Sequence, residues 1–460
     1  MAKLRKLRKL IIFVFSVLIA CLGIASMTEP VFADSAIAMI DTNDFAYYIY
    51  NSTDWENALE LVEDLGDNDK LQIYFYSDMT ASMPELDEDS TGIHVEIFLN
   101  GHTWTVDEDD VIQTTNANIS IYGDNGTINF SDDNDEPSGL FRVYGDGELA
   151  VYDTNFLDCD CGSYPLFYIK GNAKQARVRF SNSAFRRCSS DTYGGVLYGT
   201  NLDRVWIDNS TFDDCYSEYG GAFYFEDTGV LLESWHTYAL FQYCHADKGG
   251  AFYLENARAS LETDHEIKFH DCYAEYGGVA YCDAGAESCF SISQDNNSGL
   301  LSIYNCTATE DGGVCYSEGD TYIFDADVHD CSAKRGGVLF MDGDRVGYFL
   351  RDNFYDCTAE QGGVLYCTDE VETVPFESWS NTYTNSGRNA GSLVYCENDI
   401  FKYNNDTVNS DNYYATYVGE HYIYTGFILG SGSVWIVAAG AVLVIGGLVA
   451  ILIVKKKKAA

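Results

Sequence analysis

The sequence predicts an all-β fold, a right-handed single-stranded parallel β-helix with an N-terminal capping helix and a C-terminal transmembrane helix. Three observations predict it. A cysteine followed five or six residues later by Gly-Gly recurs through the chain, with 25 to 34 residues between successive cysteines. Each repeat holds two short β-like runs and no helical periodicity between them. The composition, with 35 Tyr and 26 Phe but only 5 Pro among 460 residues, suits strands. A period in the twenties with two or three strands per repeat describes a solenoid in which each strand pairs with its copy in the next coil, about 4.8 Å away.

The elements follow in chain order. Residues 1–33 read as a bacterial-type secretory signal peptide. Lys3, Arg5, Lys6, Arg8 and Lys9 come first, then an uncharged run from Leu10 to Met27, then Val31 and Ala33 at the small-residue cleavage positions. Residues 34–66 form the cap. Within "STDWENALELVEDLG", Ser52 to Asp54 are candidate N-caps, Trp55, Leu59 and Val62 share one helical face, and Gly66 is a stop. The β-helix is expected over residues 67–410, with clear repeats over 156–395. Residues 411–433 form a juxtamembrane segment. Val434 to Val454 carry no charge over 21 residues, enough for one membrane-spanning helix. Lys455 to Lys458 open a cytoplasmic tail, 455–460. The localisation these imply is the plasma membrane, single-pass, with an extracellular N-terminal ectodomain.

Net charge is -44, and nine of the 27 basic residues lie in the two terminal segments. So acidic an ectodomain repels polyanions, which argues against nucleic acid as a partner, and it collects divalent cations.

In-register stacking places each repeated letter in a column. The cysteine column is Cys159, Cys188, Cys215, Cys244, Cys272, Cys306, Cys331 and Cys357. The corner glycines are Gly194, Gly220, Gly249, Gly277, Gly312, Gly336 and Gly362, where positive φ or close backbone approach is needed. Phe/Tyr and Val/Leu columns are expected to fill the interior. The cysteines are expected as buried thiols, because ladder spacing exceeds the Cβ separation a disulfide wants. Cys159–Cys161 and Cys282–Cys289 are the local pairs most free to bridge. Cys282, Cys367 and Cys396 make a second, patchier column.

The pattern F-x-x-C-x-A-x-x-G-G-[AV]-[FL]-Y, read for example at Phe354, Cys357, Gly362, Val364 and Leu365, resembles the polymorphic outer membrane protein repeats of chlamydial surface proteins, with Cys in place of Asn. That resemblance covers residues 156–395. It implies a pectin-lyase-like β-helix and a role in surface display or adhesion. This chain departs from that family in ending on an apolar segment where the family has a β-barrel. "FLNGHTWTV", Phe98 to Val106, resembles early-coil text of bacterial β-helix proteins. "VWIDNSTF", Val205 to Phe212, is similar to a pectate lyase stretch, with Asn209 where that motif has His and Arg204 nearby.

No catalytic residue is assigned. Acidic pairs are too numerous to single one out, and a lyase needs a positioned base that no motif here supplies. "ESWHTY" and "ESWSNTY" recur as expected loop insertions bearing Trp235, Tyr238, Trp379 and Tyr383. Exposed, these rings suit sugars or protein partners; packed against the solenoid side, they are structural. No cofactor is expected. Asp-rich turns such as Ser131–Glu136 could hold Ca²⁺, although no specific calcium motif supports it, so the metal question stays open. The expected function is a cell-surface, adhesin-like protein that interacts with glycans or with host or neighbouring-cell proteins. The alternatives are a membrane-tethered polysaccharide lyase or glycoside hydrolase, and a non-catalytic structural stalk.

Overall fold

The computed structural model describes residues 36–63, 65–86, 91–107, 111–131, 139–172, 175–234, 238–263, 266–285, 288–294, 301–343, 345–368, 377–384, 386, 392–397, 402–404, 407–409, 415–418 and 421–424. They form a right-handed parallel β-solenoid, with one helix. The solenoid lies within Ile37–Ala460. The expected signal peptide, the span 434–454 and the tail lie outside the described residues. Among the described residues no helix is long and apolar enough to cross a membrane.

Three long sheets run along the solenoid. Sheet 1 has 15 strands, sheets 2 and 3 have 13 each, and successive coils add parallel strands to each in turn. One coil shows the path. Strand Ala176–Ser181 lies in sheet 1, Ala184–Arg186 in sheet 2 and Leu197–Thr200 in sheet 3. A fourth sheet of three short strands, His245–Lys248, Tyr273–Tyr276 and Thr307–Asp311, lies between sheets 2 and 3. Isolated parallel bridges at Ser189, Tyr216, Ser332 and Thr358 continue its rhythm in neighbouring coils.

The corners follow from residue chemistry. Asn182 and Asn209 turn from sheet 1 to sheet 2, and Asn201, Asp227 and Asn256 turn from sheet 3 to sheet 1, all at positive φ. Asn and Asp tolerate this left-handed region because their short polar side chains bond locally. The residue before each ladder cysteine is also left-handed, as at Asp214, Asp271, Asp330 and Asp356. The glycine pair divides two tasks. Gly220 has φ +68°, and a Cβ there would stand 2.1 Å from Phe223 O. At Gly221 a Cβ would stand 2.3 Å from Gly250 O of the next coil, so close approach between coils excludes a side chain.

The interior is a set of stacked columns. Phe156, Phe185, Phe212, Phe241 and Phe269 lie ring on ring, with centroids 4.7–5.0 Å apart and planes within 13°. Burying each is worth about 1.5–3 kcal/mol, with some further gain from the ring pair. The eight ladder cysteines are all fully buried. Cys215 Sγ donates to Phe185 O at 3.6 Å and Cys244 Sγ to Phe212 O at 3.5 Å, so these thiols find acceptors in the preceding coil, while Cys188 and Cys306 donate to carbonyls of their own coil. Burial pushes the Cys188, Cys215, Cys272 and Cys331 thiols well up. All fourteen cysteines from Cys159 to Cys396 are buried free thiols, the pairs Cys159–Cys161 and Cys282–Cys289 included.

One expectation about columns needs correction, and the patchiness of the second cysteine column is as expected. The tyrosine after the glycine pair does not fill the interior. In strand Phe223–Glu226, Phe223 and Phe225 point inward, so the period of two sends Tyr224 and Glu226 outward. The second cysteine column is interrupted by other small or apolar residues: Leu254, Cys282, Ser317, Met341, Cys367 and Cys396 stand in register.

Helix α1 (Ser52–Val62) occurs where expected, but its N-cap is Asn51, whose side chain accepts from Asp54 N at 3.1 Å. It ends at Val62, before Gly66. Trp55, Ala58 and Val62 are its buried residues, and Leu59 packs beside them at partial exposure. The Trp55 ring lies 6.1 Å from Phe75 and 6.5 Å from Trp104, and its Nε1 donates to Ser82 O at 3.2 Å. Strands Ala38–Thr42 and Ala46–Ile49 extend sheet 1 antiparallel beside this helix. Strands Ala415–Val418 and His421–Tyr424, in the segment expected to be juxtamembrane, extend sheet 3.

Candidate functional site

The outer face of sheet 3 carries a second aromatic column. Tyr168, Tyr198, Tyr224, Tyr253, Tyr281, Tyr316, Phe340, Tyr366 and Tyr395 stack in unbroken order, with centroids 4.6–5.4 Å apart. Two residues after each tyrosine, on the same face, most coils place an acid: Glu226, Glu255, Asp283, Glu318 and Glu397, with Asp342 following Phe340.

The phenols lean one coil along the solenoid to meet these acids. Tyr198 donates to Glu226, Tyr224 to Glu255 and Tyr366 to Glu397. Tyr253 donates to Asp283 at 3.1 Å, Tyr281 to Glu318 at 3.2 Å and Tyr316 to Asp342 at 3.1 Å. Burial, then the facing carboxylates, raises the phenols of Tyr198, Tyr224 and Tyr253 above their ordinary value, so they remain protonated donors. Burial also raises the Glu318 carboxyl, while the Tyr281 hydrogen bond and the Lys248 charge act against that rise.

In five coils the residue just before the glycine pair reaches over the ring of the next coil. Tyr193 meets Tyr224 edge-on at 4.8 Å, Tyr219 meets Tyr253 at 5.2 Å and Tyr276 meets Tyr316 at 5.7 Å. Where that residue is basic, a cation sits there. Lys248 Nζ lies 4.6 Å from the Tyr281 centroid, and the Arg335 guanidinium 5.2 Å from that of Tyr366.

Near one end of this face is an open groove of about 470 Å³. Tyr164 and Tyr193 form its exposed rim, Tyr168, Tyr198 and Tyr224 its floor, and Glu226 and Glu255 its acidic side. The two glutamates are direct register partners on adjacent coils. Among the described residues, neither carboxylate has a Lys, Arg or His in ion-pair distance; each accepts from its tyrosine.

The aromatic residues anticipated from sequence fall elsewhere. Tyr383 is an interior residue, 1% exposed, stacked 5.2 Å from Phe354 and hydrogen-bonded to Ser378 Oγ at 2.7 Å. It continues the interior aromatic column and presents no face to a ligand. Tyr238 is half-buried at the entry to a sheet 2 strand, with Lys268 Nζ 5.9 Å from its ring. Glu377–Trp379 is a strand of sheet 1, not a loop insertion, and Gly229–Ser234 likewise runs into the first motif as a strand. Trp235 lies outside the described residues, as does the side chain of Trp379. Neither Tyr238 nor Tyr383 lines the groove.

The lyase-like stretch is also placed. Val205 to Asp208 lie in a sheet 1 strand, and Asn209 is a left-handed corner donating to Asn182 Oδ1 at 2.9 Å. Its side chain serves the corner column. Among the described residues no group of His, Cys, Asp and Glu is arranged to hold a metal ion, and Asp132–Glu136 of the Asp-rich turn lie outside them.

The Tyr-x-Glu row beneath the groove, though not the groove itself, was legible in the sequence after the glycine pair, in "YFE" and "YLE". Its signal is a period of two inside a period near thirty, and the eye takes the longer one first. No protein-family model matches this chain, and no curated protein and no solved structure matches it.

Proposed function

We propose that this chain is a non-catalytic surface protein, exported and held in the plasma membrane by 434–454, with a parallel β-solenoid as its display scaffold. In this reading α1 caps the first coil. Trp55 over Phe75 and Trp104 supports that role, because it covers apolar rings a bare end would expose. The reading rests on the groove on sheet 3: an aromatic floor and exposed aromatic rim beside two carboxylates, which suits recognition of a polar partner by ring faces and hydrogen bonds. Surface display with glycan or protein binding is the function this serves.

The test uses the full-length chain in detergent, screened against neutral oligosaccharides and lysine-rich proteins. Tyr164→Ala with Tyr193→Ala removes the rim; these rings are 37% and 41% exposed, so the fold is retained. Ligand affinity is expected to fall at least about tenfold, the scale of a lost aromatic anchor. Undiminished binding in the double variant would place the ligand elsewhere and remove the groove from this reading.

A further inference from the structure

We infer that the groove takes a primary ammonium group, presented as a lysine side chain of a protein partner, held beside the exposed Tyr193 ring and shared by Glu226 and Glu255. This deepens the proposed function and rests on the groove being a binding site.

The chain itself supplies the pattern. The residue before a glycine pair covers the tyrosine of the next coil, whose phenol donates to a carboxylate one coil further on. At Lys248, Tyr281 and Glu318 the covering group is an ammonium, 4.6 Å from the ring centroid. At Arg335, Tyr366 and Glu397 it is a guanidinium. At the first, the Lys248 charge also acts on Glu318; at the second, the guanidinium lies nearer Phe340, at 4.5 Å, and is ion-paired with Asp311. The groove holds the same arrangement at Tyr193, Tyr224 and Glu255, but Tyr193 replaces the cation and stands edge-on at the rim. Tyr198 and Tyr253 stack on the two faces of the Tyr224 ring, so what the groove offers a cation is the exposed Tyr193 ring and the two carboxylates.

The chemistry selects the missing group. Ring faces and carboxylates both attract cations and repel anions. Glu226 and Glu255 project from adjacent strands about 4.8 Å apart, a separation one ammonium with three donors can bridge. Each carboxylate already accepts from one phenol, which holds it in place and leaves acceptor capacity for a second donor. A quaternary ammonium has no donor for that role, and a neutral sugar hydroxyl leaves both negative charges uncompensated. The net charge of -44 draws a basic partner to the surface.

The experiment measures binding of a tetralysine peptide to the full-length chain in detergent at low salt. Its ε-acetylated form, and Glu226→Gln with Glu255→Gln, are each expected to bind at least about tenfold more weakly, as for a lost charge pair. Glu56→Gln with Glu63→Gln makes the same charge change on exposed positions of α1 and its end, and is expected to bind like the native chain. Tyr193→Lys, at a position 41% exposed, places a resident ammonium where Lys248 places one, and is expected to block the peptide without lowering Tm. The inference is overturned if the acetylated peptide binds equally, if both charge variants weaken binding alike, if Tyr193→Lys binds undiminished, or if tetralysine does not bind. A neutral oligosaccharide that binds and is lost in the rim variant, with no tetralysine binding, would retain the groove and reject the ammonium. Binding of either probe that is indifferent to the rim variant would reject both.

Discussion

Asp352 is a carboxyl only 1% exposed at the corner between sheets 1 and 2. Other coils place Thr154, Ser183 and Ser210 at this position, where Ser183 Oγ accepts from Thr154 N and Ser210 Oγ from Ser183 N. Asp352 accepts from Ala326 N and Leu350 N, both at 2.9 Å. Burial nevertheless raises its pKa well above the ordinary range, against those two hydrogen bonds. A carboxyl that binds its proton more tightly folded than unfolded contributes fully below its unfolded pKa, about 4, and loses that contribution as pH rises through the folded value. Asp352→Ser restores the hydroxyl of the column. Its Tm relative to the native chain is expected to climb as pH rises above about 4, where an ordinary carboxylate is already ionised. A Tm difference that stays flat with pH contradicts this.

The Gly-Gly corner is the element that sets how closely coils approach. A Cβ at Gly221 would meet backbone oxygen atoms of three residues, Gly250 at 2.3 Å, His245 at 2.6 Å and Cys215 at 2.8 Å, and backbone cannot swing aside as a side chain can. Gly221→Ala is therefore expected to cost at least about 2 kcal/mol, measured from urea midpoints. Gly229 has nothing within 4 Å of its Cβ position, so Gly229→Ala is expected within about 0.5 kcal/mol of native. Equal costs at the two sites would show that the approach of coils is not what the second glycine protects. These corners were legible because every coil meets the same constraint and repeats the same letter. Interior Phe and Cys columns were legible for the same reason. The direction of Tyr224 was not separated from that of Phe223, since both belong to one aromatic run and only the alternation of the strand parts them. Tyr383 was misleading because it stands in a recurring surface-like motif yet occupies a position filled by Phe in other coils. The fourth sheet left no distinct pattern, because its strands have only four or five residues.

At the scale of the whole molecule, the outer face of sheet 3 carries a row of acids, Glu226, Glu255, Asp283, Glu318 and Asp342, on strands about 4.8 Å apart, well inside the screening length at low salt. Cross-coil pairs such as Arg335–Asp311 and Arg351–Asp325 offset only part of this, given 71 acidic against 27 basic residues. Raising NaCl from about 0.05 to about 0.5 M is expected to raise Tm by about 3 °C or more, as repulsion is screened. A Tm that falls with salt would mean that the ion pairs outweigh the row. The fold could be read at this scale from period alone. The groove could not, because it depends on which single residue precedes each glycine pair, a choice that stacking leaves free.

The two outermost described strand pairings run against the rest. Ala46–Ile49 closes sheet 1 through antiparallel partners, and His421–Tyr424 closes sheet 3 in the same way. A solenoid grows by offering each new strand a parallel template, so stacked molecules could in principle continue one another into a fibre. At these two margins an arriving strand meets a reversed one. The direction of two short strands thus removes the parallel template at one margin of sheet 1 and one margin of sheet 3.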